Sequence, residues 1–281
     1  MSGELFAPPI DRRVAFFGGS FDPPHLGHLA IARAARDAFH LDTVLFAPVG
    51  AQPLKPKGSS ASFEDRLAMT RLAIEGQPGF EVSLADAPKS PGGRGLKPNY
   101  TFDTLLSLRS ELKPNGTLYC LMGADSFFGL RRWHRAAEIP YAAALIVASR
   151  PPISRSRQPL DGAGLLLDEL KFALPPGLAL EPAPDQNALN IDRNNSGASE
   201  SGVAVRAFLI VNPAGERAPF YVLPGLDVEI SASDIREAIR KAGPPAPSIG
   251  ASRAAQPGSD AVQTMLPVAV AEYIRANGHY R

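Results

Sequence analysis

Near-continuous apolar runs alternating with amphipathic stretches, and a glycine turn between the first run and the first helix, predict an α/β chain. The expected architecture is a doubly wound parallel sheet with a small C-terminal helical part. Val14 to Phe17 reads as a buried strand, and Gly18, Gly19, Pro23 and Pro24 then break regular structure. A helical pattern starts at Leu26, with Ile31, Ala34, Ala35, Ala38 and Phe39 recurring on one face. Strand, glycine turn and helix form a layout that aims backbone N–H groups at an anion.

The later elements follow the same alternation. Thr43 to Val49 reads as a second buried strand and runs into a proline-rich basic loop, Ala51 to Lys57. Ser62-Phe-Glu-Asp65 offers a capping-box start for a helix through Leu67, Met69, Leu72, Ala73 and Ile74. Phe80 to Ala85 alternates as a strand does, Ser90 to Lys97 is a glycine-rich loop, and Tyr100 to Leu112 is helical by pattern. Thr117 to Met122 and Ala143 to Ala148 are further apolar strands. Pro151 to about Ala218 is rich in proline and then polar, with Asp185 to Glu200 expected as an exposed loop. Phe220 to Leu223 returns to strand character. Ser231-Ala-Ser-Asp234 opens a helix that stops at Gly243, and Pro244 to Gly258 reads as a second flexible insert. A last helix covers Val268 to Ala276.

Composition narrows the function. A chain of 281 residues can bury a full core, and a formal net charge of +1 argues against a polyanion such as nucleic acid as the main partner. Cys120 is the one cysteine, so neither a disulfide framework nor a cysteine metal site is available. Met1 to Arg12 lacks the apolar core of a signal peptide, and the run from Tyr141 to Ala148 is too short to cross a bilayer. These features predict a soluble cytoplasmic protein with no membrane partner.

His25 and His28 lie three residues apart at the start of the first helix, so both rings can face one spot. Three readings are open: two polar residues at a helix start, two ligands of a metal, or two imidazoles on phosphate oxygens. Catalytic zinc wants a third protein ligand, and none stands at a readable spacing. The glycine turn and the lack of cysteines favour phosphate. A G-x-x-x-x-G-K-S/T loop is absent, as is G-x-G-x-x-G after the first strand, which demotes P-loop and hydride-transfer chemistry.

Gly18-Gly-Ser-Phe-Asp-Pro-Pro-His-Leu-Gly-His28 resembles the nucleotidyltransferase signature with its HxGH core, and Ile230-Ser-Ala-Ser-Asp-Ile-Arg236 resembles the same superfamily's ISSTxIR signature. Three more stretches look like bacterial nicotinate-nucleotide adenylyltransferases: Asn99 to Leu105, Met122 to Phe127 with Trp133 beyond, and Val147 to Pro151. The closing stretch from Leu266 through Tyr273 to Tyr280 is similar to that family's last helix. The likeness makes residues 11–281 a single Rossmann-like nucleotidyltransferase domain behind a ten-residue N-terminal extension. Insertions are expected within 151–218 and 244–261.

The resemblance implies adenylyl transfer from ATP to nicotinate mononucleotide, with Mg²⁺, giving deamido-NAD and pyrophosphate. It implies that His25, His28 and Arg236 are catalytic and engage ATP phosphates. It places Gly18, Gly19, Ser20, Phe21, Gly27, Ile230, Ser231 and Ser233 around the nucleotide, and Gly123 and Asp125 near its ribose. Tyr100 and Thr101 match the segment that meets the nicotinate carboxylate, Trp133 an aromatic that stacks on the pyridine, and Arg150 a further substrate contact. Lys55 matches a basic residue of the loop over ATP. The family commonly has His before it, where this chain has Leu54.

Plainer roles stand beside these. Ser231 and Ser233 are capping residues, Trp133 is a packing residue, Asp125 is a helix cap, and Arg236, Lys55 and Lys57 are solvated charges. His134 is expected at the surface, His28 at an exposed helix start, and Cys120 in the core. The rivals to the leading function are the same transfer to nicotinamide mononucleotide or pantetheine phosphate, a non-catalytic nucleotide sensor, and a metal hydrolase built on the two histidines.

Overall fold

A computed structural model describes residues 12–54, 58–89, 98–148, 167–183, 205–223, 230–242 and 264–281. The basic residues Lys55, Lys57 and Arg150, the Asp185–Glu200 loop and the Pro244–Gly258 insert lie outside the described residues. In chain order the elements are β1 (Arg13–Gly19), α1 (Leu26–Phe39), β2 (Thr43–Pro48), α2 (Phe63–Ile74), β3 (Phe80–Val82), α3 (Thr101–Glu111), β4 (Thr117–Gly123), α4 (Ala124–Phe128), α5 (Ile139–Ala142) and β5 (Ala144–Ala148). They continue with α6 (Leu167–Ala173), β6 (Ala179–Pro182), β7 (Arg206–Val211), β8 (Arg217–Leu223), α7 (Ala232–Ala242) and α8 (Val268–Asn277).

The strands form one sheet in the order β3-β2-β1-β4-β5-β8-β7-β6. From β3 to β8 every pairing is parallel, and alternate side chains feed two separate cores. Phe16, Cys120, Met122, Leu145, Val147 and Phe220 pack on one face with Phe102, Leu105 and Leu108 of α3 and Leu170 of α6. Ala15, Phe17, Tyr119, Leu121, Ile146 and Tyr221 pack on the other with α1, α2 and α8. Both faces of these strands are therefore covered, which is why they read as continuous apolar runs. Each fully buried Leu or Phe contributes about 1.5–3 kcal/mol.

The predicted helix starts are accurate. Ser62 Oγ accepts the Asp65 N–H at 3.0 Å, Ser231 Oγ accepts the Asp234 N–H at 3.1 Å, and α8 ends on Gly278 at φ 66°. The buried face of α2 differs from the expected one: Arg66, Met69, Thr70, Ala73 and Ile74 are buried, and Leu67 and Leu72 are only partly covered. On α1 the buried residues are Gly27, Leu29, Ala32, Ala35 and Phe39, with Ile31 at the margin.

The sheet is not wholly parallel. β7 pairs antiparallel with β8 and β6 antiparallel with β7. Asn212 shapes the β7–β8 turn, its Oδ1 accepting the N–H groups of Ala214 at 3.0 Å and Glu216 at 2.9 Å. So the proline-rich 151–218 region carries α6, β6, β7 and the start of β8, all packed into the sheet. β3 is shorter than its alternation suggested and stops at Val82.

β1 lies between β2 and β4, so the strand order reverses at the carboxyl ends of β1 and β4. Such a switch point leaves a crevice between the loops that leave the two strands. Gly18 and Gly19 close β1, and Gly123 closes β4.

Candidate active site

The turn after β1 is tightly built. Phe21 takes a left-handed backbone, φ 46°, and buries its ring edge-on against Phe17 at 5.6 Å. His25 then serves as the N-cap of α1 and is 6% exposed. Its backbone N–H donates to His28 Nδ1 at 3.2 Å, and the two rings lie 3.7 Å apart. An accepting Nδ1 places the proton of the neutral His28 ring on Nε2, which makes that nitrogen a donor. His28 is half-buried against Phe17 and Phe21 rather than exposed, because it closes its own helix start. One first-turn donor is already used: Leu26 N–H bonds to the Met265 carbonyl at 2.9 Å.

The second signature meets this turn. Arg236 on α7 donates through Nη1 to the Asp22 carbonyl at 2.6 Å and through Nη2 to Ser233 Oγ at 3.1 Å. Its guanidinium is also 3.9 Å from the Asp22 carboxylate. Asp22 is 4% exposed, and its carboxylate accepts the Ser60 N–H at 2.6 Å, the Ala61 N–H at 3.1 Å and the Tyr280 hydroxyl at 2.8 Å. Segments around residues 22, 60 and 280 are thus tied at one carboxylate.

Two adjoining chambers open here. The first, about 420 Å³, is lined by Gly18, Gly19, Ser20, Phe21, His25, Gly27 and His28 from the β1 turn and α1. Gly123 and Asp125 line it from the end of β4, and Ile230, Ser231, Ser233 and Arg236 from α7. The second, about 580 Å³, is lined by Tyr100, Thr101 and Trp133, with Gln52, Leu54, Asp86, Asn99, Arg132 and His134. Gly18, Gly19, Ser20, Asp125 and Ser126 belong to both walls. Every described residue assigned to the nucleotide lines the first chamber, and every described residue assigned to the acceptor lines the second. A shallower hollow beside β3, lined by Arg71, Ile74 and Phe80, contains none of them.

The second chamber is held by buried polar groups, two of them, Asn99 and Thr104, within the Asn99–Leu105 stretch and one, Asp86, outside every stretch singled out in the sequence. Asn99 Oδ1 accepts the Ala51 N–H at 3.1 Å, and its Nδ2 donates to the Ala87 carbonyl at 3.0 Å. Asp86 accepts the Thr104 hydroxyl at 2.5 Å, and burial pushes its carboxyl above the ordinary carboxylate range. Gly50 has to be glycine, since a Cβ there would lie 2.5 Å from the Pro88 nitrogen. His134 is exposed as expected, but its ring lies 4.3 Å from that of Tyr100. Trp133 is half-buried, so packing and cavity lining coexist. Burial pushes the Cys120 thiol up to about 12, consistent with a core residue.

Arg66 carries no sequence signal of a role at the site. It is 2% exposed and donates to the Ser20 carbonyl at 2.6 Å and the Val49 carbonyl at 2.8 Å. It pins the loops after β1 and β2 from behind, and burial lowers its pKa. Among the described residues no group of three or more His, Cys, Asp or Glu side chains is arranged to hold a metal ion.

The switch-point crevice carries paired imidazoles and a guanidinium, with two chambers on one wall, and the chain belongs to the cytidylyltransferase-like family, whose family model matches residues 16–238. Within it, the chain belongs with the nicotinate-nucleotide adenylyltransferases. A relative from Xylella fastidiosa named probable nicotinate-nucleotide adenylyltransferase is 36% identical over 68% of this chain and 85% of its own length. One from Gloeobacter violaceus with the same name is 45% identical over 50% of this chain, and the match takes in 66% of that relative, just under two thirds. The fold is also that of Plasmodium falciparum nicotinic acid mononucleotide adenylyltransferase complexed with NaAD. That likeness has a TM-score of 0.56 at 14% identity, over 96% of this chain and 97% of the other.

Proposed function

We propose that this protein transfers the adenylyl group of ATP to nicotinate mononucleotide, forming deamido-NAD and pyrophosphate in NAD biosynthesis. The observation that carries the reading is the shared wall. Two chambers that meet at Gly18–Ser20 and Asp125–Ser126 suit two nucleotides whose phosphates must touch. ATP takes the chamber with His25, His28, Ser231 and Arg236. The acceptor takes the one with Tyr100, Thr101 and Trp133.

The chemistry needs no protein nucleophile. An oxygen of the acceptor phosphate attacks the α-phosphorus of ATP, a new P–O bond forms, and the bond to the bridging oxygen breaks to release pyrophosphate. Aligning the two nucleotides can supply roughly 7–11 kcal/mol at the upper limit. His28 Nε2 and the Arg236 guanidinium are donors for negative charge developing on the phosphates. Asp22 directs Arg236 by holding its Nη1 at the turn, and Arg66 keeps that turn in place.

Mg²⁺ belongs to the same proposal. Asp22 and Asp125 are the carboxylates in the chamber's described lining, and Asp22 is already taken up by protein donors, which suits an ion bound largely through substrate oxygens. Asp125 is the exposed carboxylate on the shared wall that would face it. When bound, the ion would neutralise phosphate charge. Work in the cytoplasm is also proposed; it fits the lone buried Cys120, and no helix among the described residues is long and apolar enough to cross a membrane.

Pyrophosphate release with Mg-ATP tests the reading when nicotinate mononucleotide, nicotinamide mononucleotide and pantetheine phosphate are offered in parallel. Preference for the nicotinate form is expected. Equal rates would overturn the acceptor, and ATP binding without turnover on any acceptor would make the protein a sensor.

A further inference from the structure

Asp22 is a buried carboxylate in the nucleotide chamber; Ser60 and Ala61 before α2 and Tyr280 beyond α8 donate to it, and Arg236 on α7 faces it as a cation. Tyr280 reaches it from a backbone at φ 65°, a left-handed conformation that a bulky side chain adopts only when its surroundings impose it. The hydroxyl donates to Asp22 Oδ1 at 2.8 Å. Burial and the neighbouring carboxylate both raise the phenol's pKa, so it stays a donor. The Arg236 guanidinium stands 3.9 Å from the other oxygen of the same carboxylate, near enough to attract but beyond hydrogen-bond length.

We propose that Tyr280 is a positioning residue for the nucleotide chamber: its hydroxyl satisfies the Asp22 carboxylate and so leaves the Arg236 guanidinium directed at the triphosphate. Without that hydroxyl, Oδ1 keeps the longer bond from the Ala61 N–H and loses the shorter of its two donors, in a site where a buried carboxylate is costly to leave under-satisfied. Among the described residues, Arg236 is the cation that forms an ion pair with this carboxylate. Each ångström it moves toward Asp22 takes it away from phosphate. The inference rests on the reading of this chamber as the ATP site.

A nearby pair supplies the control. Tyr273 donates its hydroxyl to Asp65 Oδ1 at 2.9 Å, which holds α8 against the start of α2 without lining either chamber. The experiment compares Tyr280→Phe with Tyr273→Phe in steady-state pyrophosphate release, with melting temperature measured for each. Tyr280→Phe is expected to raise KM for ATP about tenfold and to leave the acceptor KM within about twofold. Tyr273→Phe is expected to lower the melting temperature and leave both KM values within about twofold. In an Asp22→Asn background, where the competing charge is gone, Tyr280→Phe should change KM for ATP by less than about twofold.

An unchanged ATP KM in Tyr280→Phe, a parallel rise for both substrates, or an equal effect of Tyr273→Phe overturns the proposal. If the unsubstituted protein turns over no acceptor, the adenylyl-transfer reading fails by itself. Calorimetric ATP affinities of the same variants then decide the role of Tyr280 separately.

Discussion

The Arg236 guanidinium donates to the Asp22 carbonyl at 2.6 Å across 214 positions of sequence, and that contact joins the two signatures into one chamber. The Arg236 side chain is 23% exposed and lines the first chamber. Its charge is directed by a hydrogen bond to a fixed backbone, with Ser233 Oγ holding the second nitrogen.

Arg236→Ala should lower kcat/KM by about 10²–10³-fold, the range for losing a preorganised donor to a developing charge. The melting temperature should change little, because the residue is not core. Arg236→Lys should recover only part of the rate, since an ammonium cannot bond Asp22 and Ser233 in the same fork. Stopped-time pyrophosphate assays on both variants check this.

His28→Ala should cost turnover and some stability together. Its Nδ1 accepts the His25 N–H, so the substitution also leaves a backbone donor at the start of α1 without that acceptor, worth about 1 kcal/mol. Urea denaturation should show that loss. His28→Asn, which keeps a side-chain acceptor, should recover stability while turnover stays low.

Trp133→Ala should act on the acceptor. Trp133 lines the second chamber and packs on the core below it, so the acceptor KM should rise about tenfold, in line with the loss of a stacked ring. KM for ATP should stay within about twofold. An unchanged acceptor KM would remove the stacking role.

Asp86 gives the chain a specific pH signature. Burial raises its carboxyl pKa above the ordinary 3.8, outweighing the Thr104 bond that lowers it. The stability tied to its protonated form is whole below 3.8 and is lost as pH rises through the raised folded-state value. Asp86→Asn removes this titration. The wild type should therefore lose stability relative to Asp86→Asn as pH rises from 3.8 through the raised folded-state value in urea unfolding series. A constant difference would mean that the carboxyl titrates normally.

Much of the site is legible because its chemistry is local. The glycine turn, the His25–His28 spacing and the Ser231 cap each sit within a few residues, and the structure keeps each where its pattern placed it. The contacts that align them are long-range and leave no local trace. Tyr280 meets Asp22 over 258 positions, and Arg66 reaches the Ser20 carbonyl over 46. Arg66 looks like a solvent-facing charge in a helix pattern, yet it is buried because two backbone carbonyls need a donor behind the turn. The β6–β7 addition was hidden differently. Its strands are short, and they lie within a proline-rich stretch whose composition reads as loop.

The account stands or falls on two chambers forming one dinucleotide site, and competition for deamido-NAD tests it most directly. Bound deamido-NAD should be displaced by ATP alone and by nicotinate mononucleotide alone, with both mononucleotides bound together once it has left. Displacement by only one of them, at any concentration of the other, would contradict the shared wall at Gly18–Ser20 and the reaction built on it.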